Sequence, residues 1–366
     1  LLSIHRLSNL SGSVVDLPDL AAFYSCGMRA LVLTGPERAD IQQVPDPVAG
    51  PGEVTIDVSR VGICGTDVAF FRGTMPYLAT GQARYPLRPG HEWVGVVSAV
   101  GAGVDDSWLG RRATGDTMLG CRACDRCARG LQHVCANRTE VGVLGGKDGA
   151  LAEQLVVPVV SLQALPDSVD DAAGAMVEPS ANALRAVQDG GVAGGQRVAV
   201  LGPGTLGLMA VGFAAARGAT VHAVGRSASG LALAAAMGAA STSRLADDPL
   251  PTGGFQVVID TSSGPQMPQL ALDLVEPGGT VVLLGIAGTA GPIDTRQAVT
   301  NDVTIIGNLS GSPAMAATVD AFATGVVDPH PLIAATVPLE RAAQVLAGWR
   351  PPDAGTGPKM HFAVRV

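Results

Sequence analysis

The chain has 366 residues, more than one compact core holds and about the length of two domains. Hydrophobic residues make up 47% and charged residues 15%, with 48 Gly and 25 Pro, so the chain is globular, turn-rich and supplied for sizeable cores. Its formal net charge of −8 gives no basic footprint for nucleic acid and no cationic face for a membrane surface, and no apolar run is long and unbroken enough to span a bilayer.

Residues 1–27 mix Ser, Asp, Pro and scattered Leu, without the basic start and continuous apolar stretch of a secretory signal. They read as an extension with little fixed structure, Cys26 within it as a residue without a role, and the protein as cytoplasmic. Folding is expected to begin at Met28, where Met28–Leu33 has strand character. Val54–Val58 alternates with period two, as a half-buried strand does. The run Gly62-Ile63-Cys64-Gly65-Thr66-Asp67 then offers a thiolate, and Pro89-Gly90-His91-Glu92 an imidazole beside a carboxylate. Thiolate and imidazole are zinc ligands that must converge in space, not in sequence. The segment from Phe70-Phe71 to Pro86 is expected to border a substrate entrance, although the two rings suit a core equally. Strands are expected at Trp93–Val100 and Leu155–Pro158, making residues 28–160 a β-rich, barrel-like unit.

Cys121, Cys124, Cys127 and Cys135 fall within fifteen residues. Their spacing suits one tetrahedral, closed and therefore structural zinc, and a cytoplasmic setting disfavours two interleaved disulfides. The metal would staple lobe 120–137, and His133, with the shell already filled, is expected at the surface.

After Pro166 the pattern changes. A helix is expected around Ala181–Val187, following Glu178-Pro179. Arg197–Leu201 is a continuous apolar strand of the kind buried on both faces of a parallel sheet. Helices at 205–217, 228–237 and 265–275 alternate with strands at 220–224, 256–260, 280–284 and 302–307, a doubly wound α/β pattern. The tail carries helical segments at 313–325 and 339–348 and a last strand at 362–366, and is expected to rejoin the first unit. Strand 197–201 enters Gly202-Pro203-Gly204-Thr205-Leu206-Gly207, a dinucleotide-binding turn. Gly202 permits the turn, Gly204 lets a pyrophosphate approach, Gly207 allows close packing, and the helix N-terminus at Thr205 and Leu206 offers free N–H groups. At the end of the second strand stands Gly225-Arg226-Ser227, where an NAD site carries an acidic residue. The missing carboxylate and added donors favour NADP over NAD.

Together, the Gly-Ile-Cys-Gly-Thr-Asp and Gly-His-Glu runs, the four-cysteine lobe and the glycine turn resemble the zinc-dependent medium-chain dehydrogenases/reductases of the alcohol dehydrogenase superfamily. Glu178-Pro179 is similar to the polyol, sugar and cyclitol dehydrogenase branch. The resemblance implies a GroES-like catalytic domain (28–178 and 309–366) interrupted by a Rossmann domain (179–308), two zinc ions per chain, and a homodimer or homotetramer. It implies Cys64 and His91 as catalytic zinc ligands. Glu178 would be the third, directly or through water, with Glu92 as the alternative. Asp67 would orient the His91 ring and Thr66 would take the substrate proton. The reaction implied is hydride transfer between a zinc-bound alkoxide of a secondary alcohol and nicotinamide C4, or its reverse. Ala69 departs from relatives that carry a proton-passing residue there. An NAD-dependent enzyme of a small amino alcohol or diol is the alternative, and a non-catalytic NADPH- or zinc-binding protein the alternative of another class. His222, His330 and His361 are expected to be hydrogen-bonded structural histidines, and Lys359 a surface lysine.

Overall fold

A computed structural model describes residues 27–252 and 254–365, so the expectations for residues 1–26 lie outside the described residues. One seven-stranded sheet runs in the order Ile333–Pro338, Lys359–Ala363, Glu53–Gly62, Glu92–Val100, Arg112–Gly115 and Leu162–Ala164, with Gln154–Pro158 also pairing with Glu53–Gly62. Its alternating strands turn Val54, Ile56, Val58, Trp93, Val97 and Phe362 into a shared core. The register decides where chemistry can occur. Gly62 pairs with Glu92 on one side and His361 on the other, so Cys64, His91 and Lys359 emerge at one end of three adjacent strands.

The second sheet has six parallel strands: Ser241–Arg244, Thr220–Gly225, Arg197–Leu201, Phe255–Asp260, Val275–Leu283 and Thr304–Gly307. In chain order that is 3-2-1-4-5-6, the Rossmann order, which puts a crevice at the carboxyl ends of the first and fourth strands. The first strand shows why its sequence is continuously apolar. Val198 and Val200 enter the core on one face, while Ala199 and Leu201 enter the core on the other. The chain thus combines a GroES-like β unit with a Rossmann α/β unit.

Several elements differ from the sequence expectations. Ser241–Arg244 is a strand despite its polar residues, because it lies on the sheet edge with only Ser243 buried. The last strand is Lys359–Ala363 rather than 362–366, since its partners are fixed by Glu53–Gly62 and Ile333–Pro338. Gly65–Phe71 forms a short helix immediately after Cys64. Phe70 and Phe71 on it are buried in the β-unit core and do not border the cavity described below. None of the described helices is long and apolar enough to cross a membrane.

Candidate active site

Asp67 links the two segments that bear potential metal ligands. Its Oδ2 accepts from the Cys64 N–H at 2.9 Å, and its Oδ1 accepts from the Gly90 N–H at 3.0 Å. Fully buried, this carboxylate fixes the backbone on either side of Cys64 and His91. Its distance from His91 Nδ1 is 3.6 Å, longer than a hydrogen bond, and Nδ1 has no other partner among the described residues. The expected ring-orienting bond is therefore replaced by two backbone bonds. Burial disfavours a charged His91, but the negative charges of Asp67, Cys64 and Glu178 outweigh it and hold the imidazole well above its usual pKa.

Sγ of Cys64, a ring nitrogen of His91 and an oxygen of Glu92 all lie within 4.8 Å of one another. Glu92 is not free, however. Lys359 Nζ donates to both of its oxygens at 2.6 Å and to the Ile63 carbonyl at 2.9 Å. Lys359 is thus 3% exposed and ion-paired, contrary to the surface position expected from sequence. The earlier start of the last strand carries it inward. Removing one partner from such a buried pair leaves an uncompensated charge, so the pair locks Glu92 in place.

Glu178 stands outside this tight group but borders the same cavity, in the first turn of the helix Val177–Asp189. Burial pushes its carboxyl up to about 7, with Glu92 adding to the effect and His91 and Lys359 opposing it. Among the described residues its only side-chain hydrogen bond is a long one, 3.4 Å, from Asn182 Nδ2. A half-buried carboxylate short of donors, facing a thiol and an imidazole, fits a cation between them.

The cavity enclosed by these groups measures about 440 Å³ and reaches the glycine turn. Thr66, Met75 and Tyr77 border it from the β unit, and Gly204, Thr205 and Leu206 from the Rossmann unit. A second cleft, along Gly202, Gly225, Arg226 and Ser227, shares Gly204 and Thr261–Ser263 with it. The three turn glycines have three distinct reasons. Gly202 has φ +89°, which a side chain strains. Open space faces Gly204, and a Cβ at Gly207 would overlap the Gly202 carbonyl oxygen. Gly225 is equally constrained, because a Cβ there would overlap the Pro203 ring. Ser227 caps the following helix, its Oγ accepting from Gly230 N at 3.1 Å.

In the cysteine lobe all four sulfurs are free thiols within 4.8 Å of one another, which removes the disulfide reading. The Cys124–Cys135 sulfur separation is 3.7 Å. Bonds of about 2.3 Å to a tetrahedral zinc require an edge of about 3.8 Å. The Cys121 and Asn137 N–H groups donate to Cys135 Sγ, and the backbone donor at Cys121 leads in drawing that thiol down to about 6. His133 is buried, not on the surface: its Nε2 lies 3.3 Å from Arg185 Nη1, and burial followed by that guanidinium lowers its pKa. Of the remaining histidines, His222 and His330 have hydrogen-bond partners. His361 is buried with neither ring nitrogen partnered among the described residues, contrary to expectation.

Sequence reasoning also missed residues that border the cavity. Glu140 and Thr261–Ser263 lie in no motif. They reach the site only because the strand Thr139–Glu140 and the end of the fourth Rossmann strand deliver them.

Comparison with known proteins gives the same account of the two units. Residues 50–167 match the alcohol dehydrogenase GroES-like domain and residues 205–324 the zinc-binding dehydrogenase domain. The chain is 31% identical over 297 residues to an L-threonine 3-dehydrogenase of Chromobacterium violaceum, covering 76% of this chain and 84% of that one. It is 33% identical over 293 residues to the L-threonine 3-dehydrogenase of Streptomyces avermitilis, covering 76% and 83%. A Sinorhizobium meliloti structure described as a zinc-binding dehydrogenase bound to NADP superposes with TM-score 0.82 at 28% identity, covering 92% of this chain and 99% of that one. An Escherichia coli alcohol dehydrogenase solved with NADH superposes with TM-score 0.84 at 25% identity, covering 93% and 100%. With the Cys64–His91 cluster opening onto a dinucleotide crevice, the chain belongs to the zinc-dependent medium-chain dehydrogenases/reductases and is a nicotinamide-linked alcohol dehydrogenase.

Proposed function

We propose that the chain oxidises an uncharged secondary alcohol of the polyol, sugar or cyclitol type, or reduces the matching ketone, with NADP as hydride partner. The observation that carries this reading is a single cavity that joins Cys64, His91 and Glu178 to the glycine turn. Besides His91, the only basic side chain bordering it among the described residues is Lys359, whose charge Glu92 already takes. A substrate carboxylate or phosphate would find no free counter-charge there. Hydroxyl groups would meet acceptors.

Cys64, His91 and Glu178 would hold the catalytic zinc. Glu92 is the less suitable third ligand because it is bound to Lys359. A bound zinc supplies Lewis acidity toward the alcohol oxygen, and a nicotinamide supplies a hydride acceptor. The chain itself positions and moves the proton. Thr66 borders the cavity and takes the alcohol proton, and Ala69 cannot pass it on. The proton therefore leaves Thr66 toward water, assisted by Glu178. In this reading residues 28–178 and 309–366 form the catalytic unit and 179–308 the cofactor unit.

NADP is favoured because the packing of Pro203 leaves no room at Gly225 for the acidic residue of an NAD site, while Arg226 follows directly. Arg244 supports this turn, its Nε donating to the Arg226 carbonyl at 3.0 Å. A second reading, a small amino alcohol, draws on the L-threonine 3-dehydrogenase relatives. Threonine itself would bring a carboxylate without a partner.

NADP reduction followed over polyols, sugars, cyclitols, amino alcohols and simple secondary alcohols tests the proposal. A polyhydroxylated secondary alcohol is expected as the best substrate. Thr66→Ala should then lower kcat about a hundredfold, the usual worth of a positioned proton acceptor. An unchanged kcat across pH would remove Thr66 from the reaction.

A further inference from the structure

Glu140 is used by none of the roles assigned above. It lies in the two-residue strand Thr139–Glu140, where it pairs with Met118. Its backbone is fixed on both sides: the Glu140 N–H donates to the Leu144 carbonyl at 3.0 Å, and the Glu140 carbonyl accepts from Val143 and Leu144 at 3.1 Å. The side chain belongs to the wall of the active-site cavity and is only 7% exposed. Oε2 is fully buried with no hydrogen-bond partner among the described residues, and the carboxyl has no ion pair. The nearby Arg138 places its positive charge toward Glu140 without bonding it: its Nη2 donates to the Tyr77 hydroxyl at 3.2 Å, and its Nε is buried without a partner among the described residues.

A buried polar group without a partner is costly and rare, and in a cavity wall it marks a place for a ligand's donor. Neighbouring acceptors do not fill the need. Asp116 is already engaged by Ser312, Gln132 and the Met118 N–H, so it offers Glu140 nothing. A donor on a molecule bound in the cavity, whose wall includes Glu140, would meet this need.

We infer that Glu140 is a specificity-determining residue whose carboxyl accepts a hydrogen bond from a second hydroxyl or amino group of the substrate, distinct from the alcohol that reacts. The inference rests on the proposed alcohol oxidation and deepens it: the substrate carries a second donor, a hydroxyl in the polyol reading or an amino group in the amino-alcohol reading. A simple secondary alcohol leaves the carboxyl unpaired, and a site built around such a bond discriminates against the analogue that lacks it.

Matched alcohols test this with the zinc-loaded enzyme and NADP: 2-butanol against 2,3-butanediol and 3-amino-2-butanol, and 2-pentanol against 2,4-pentanediol. The wild type is expected to prefer the two-donor member of at least one pair. In Glu140→Ala that preference, expressed as a ratio of kcat/KM values, should fall about ten- to a hundredfold, the worth of a hydrogen bond to a charged group. Glu140→Gln keeps the shape and an acceptor but loses the charge. It should reduce the preference for the amine more than that for the diols if ammonium is the natural donor, and spare the diols if hydroxyl is. Using ratios cancels any general loss of fold or metal. Preference ratios within twofold of wild type in both variants would overturn the inference while leaving alcohol oxidation intact. A wild type inactive on every alcohol would overturn both.

Discussion

Two buried residues show how the same environment gives opposite consequences according to partners. Lys359 keeps its charge because Glu92 lies against it, although burial alone would lower its pKa. His361, two residues along the same strand, has no such partner, and burial, then Lys359 and Arg60, push its pKa down to about 3. The unfolded chain binds that proton near 6.5, so the folded state loses stability as pH falls below 6.5 and binds fewer protons until about 3. From pH 7 to pH 5 this group should cost about 2 kcal/mol, and denaturant unfolding of His361→Gln should show a loss smaller by about that amount. Equal losses in the two proteins would mean that His361 is protonated in the fold. Neither residue's situation is visible in sequence. Lys359 reads as a surface lysine until the register against Gly62 is known, and His361 reads as an ordinary partnered histidine.

Legibility in the sequence follows how local the physical cause is. Strand 197–201 and its turn declare themselves because their causes are local: Gly202 takes a positive φ, Gly204 leaves open space, and Gly207 packs on the Gly202 carbonyl, all within six residues. The cysteine lobe is legible for the same reason: four thiolates within fifteen residues have one common geometry. The short helix Gly65–Phe71, by contrast, is held by Asp67 bonding to Cys64 and to Gly90, and only the Cys64 bond is local. Glu140 has no sequence signal at all, since its meaning lies in the cavity it borders. Arg226→Ala should lower kcat/KM for NADP about tenfold and leave NAD within a few-fold, as expected for losing one charge-assisted phosphate contact. Equal effects on the two cofactors would assign Arg226 to solvent and remove the basis for NADP.

On the scale of the molecule, two sheets divide the work. The seven-stranded sheet brings Cys64, His91 and Glu92 to one strand end, and the parallel sheet presents the glycine turn, with Glu178 on the helix between the two. The cysteine lobe stands apart, yet it touches both units. Gln132 donates to Asp116, and His133 meets Arg185 on the helix that begins beside Glu178. This division predicts two kinds of metal, one enclosed by four thiolates and one held with a position open to the cavity. The most direct test is the zinc content of the purified chain and of Cys64→Ser, measured by elemental analysis. The account predicts two zinc ions per chain in the wild type and one in the variant, with the remaining ion in the cysteine lobe. One zinc in the wild type, unchanged by Cys64→Ser, would contradict it.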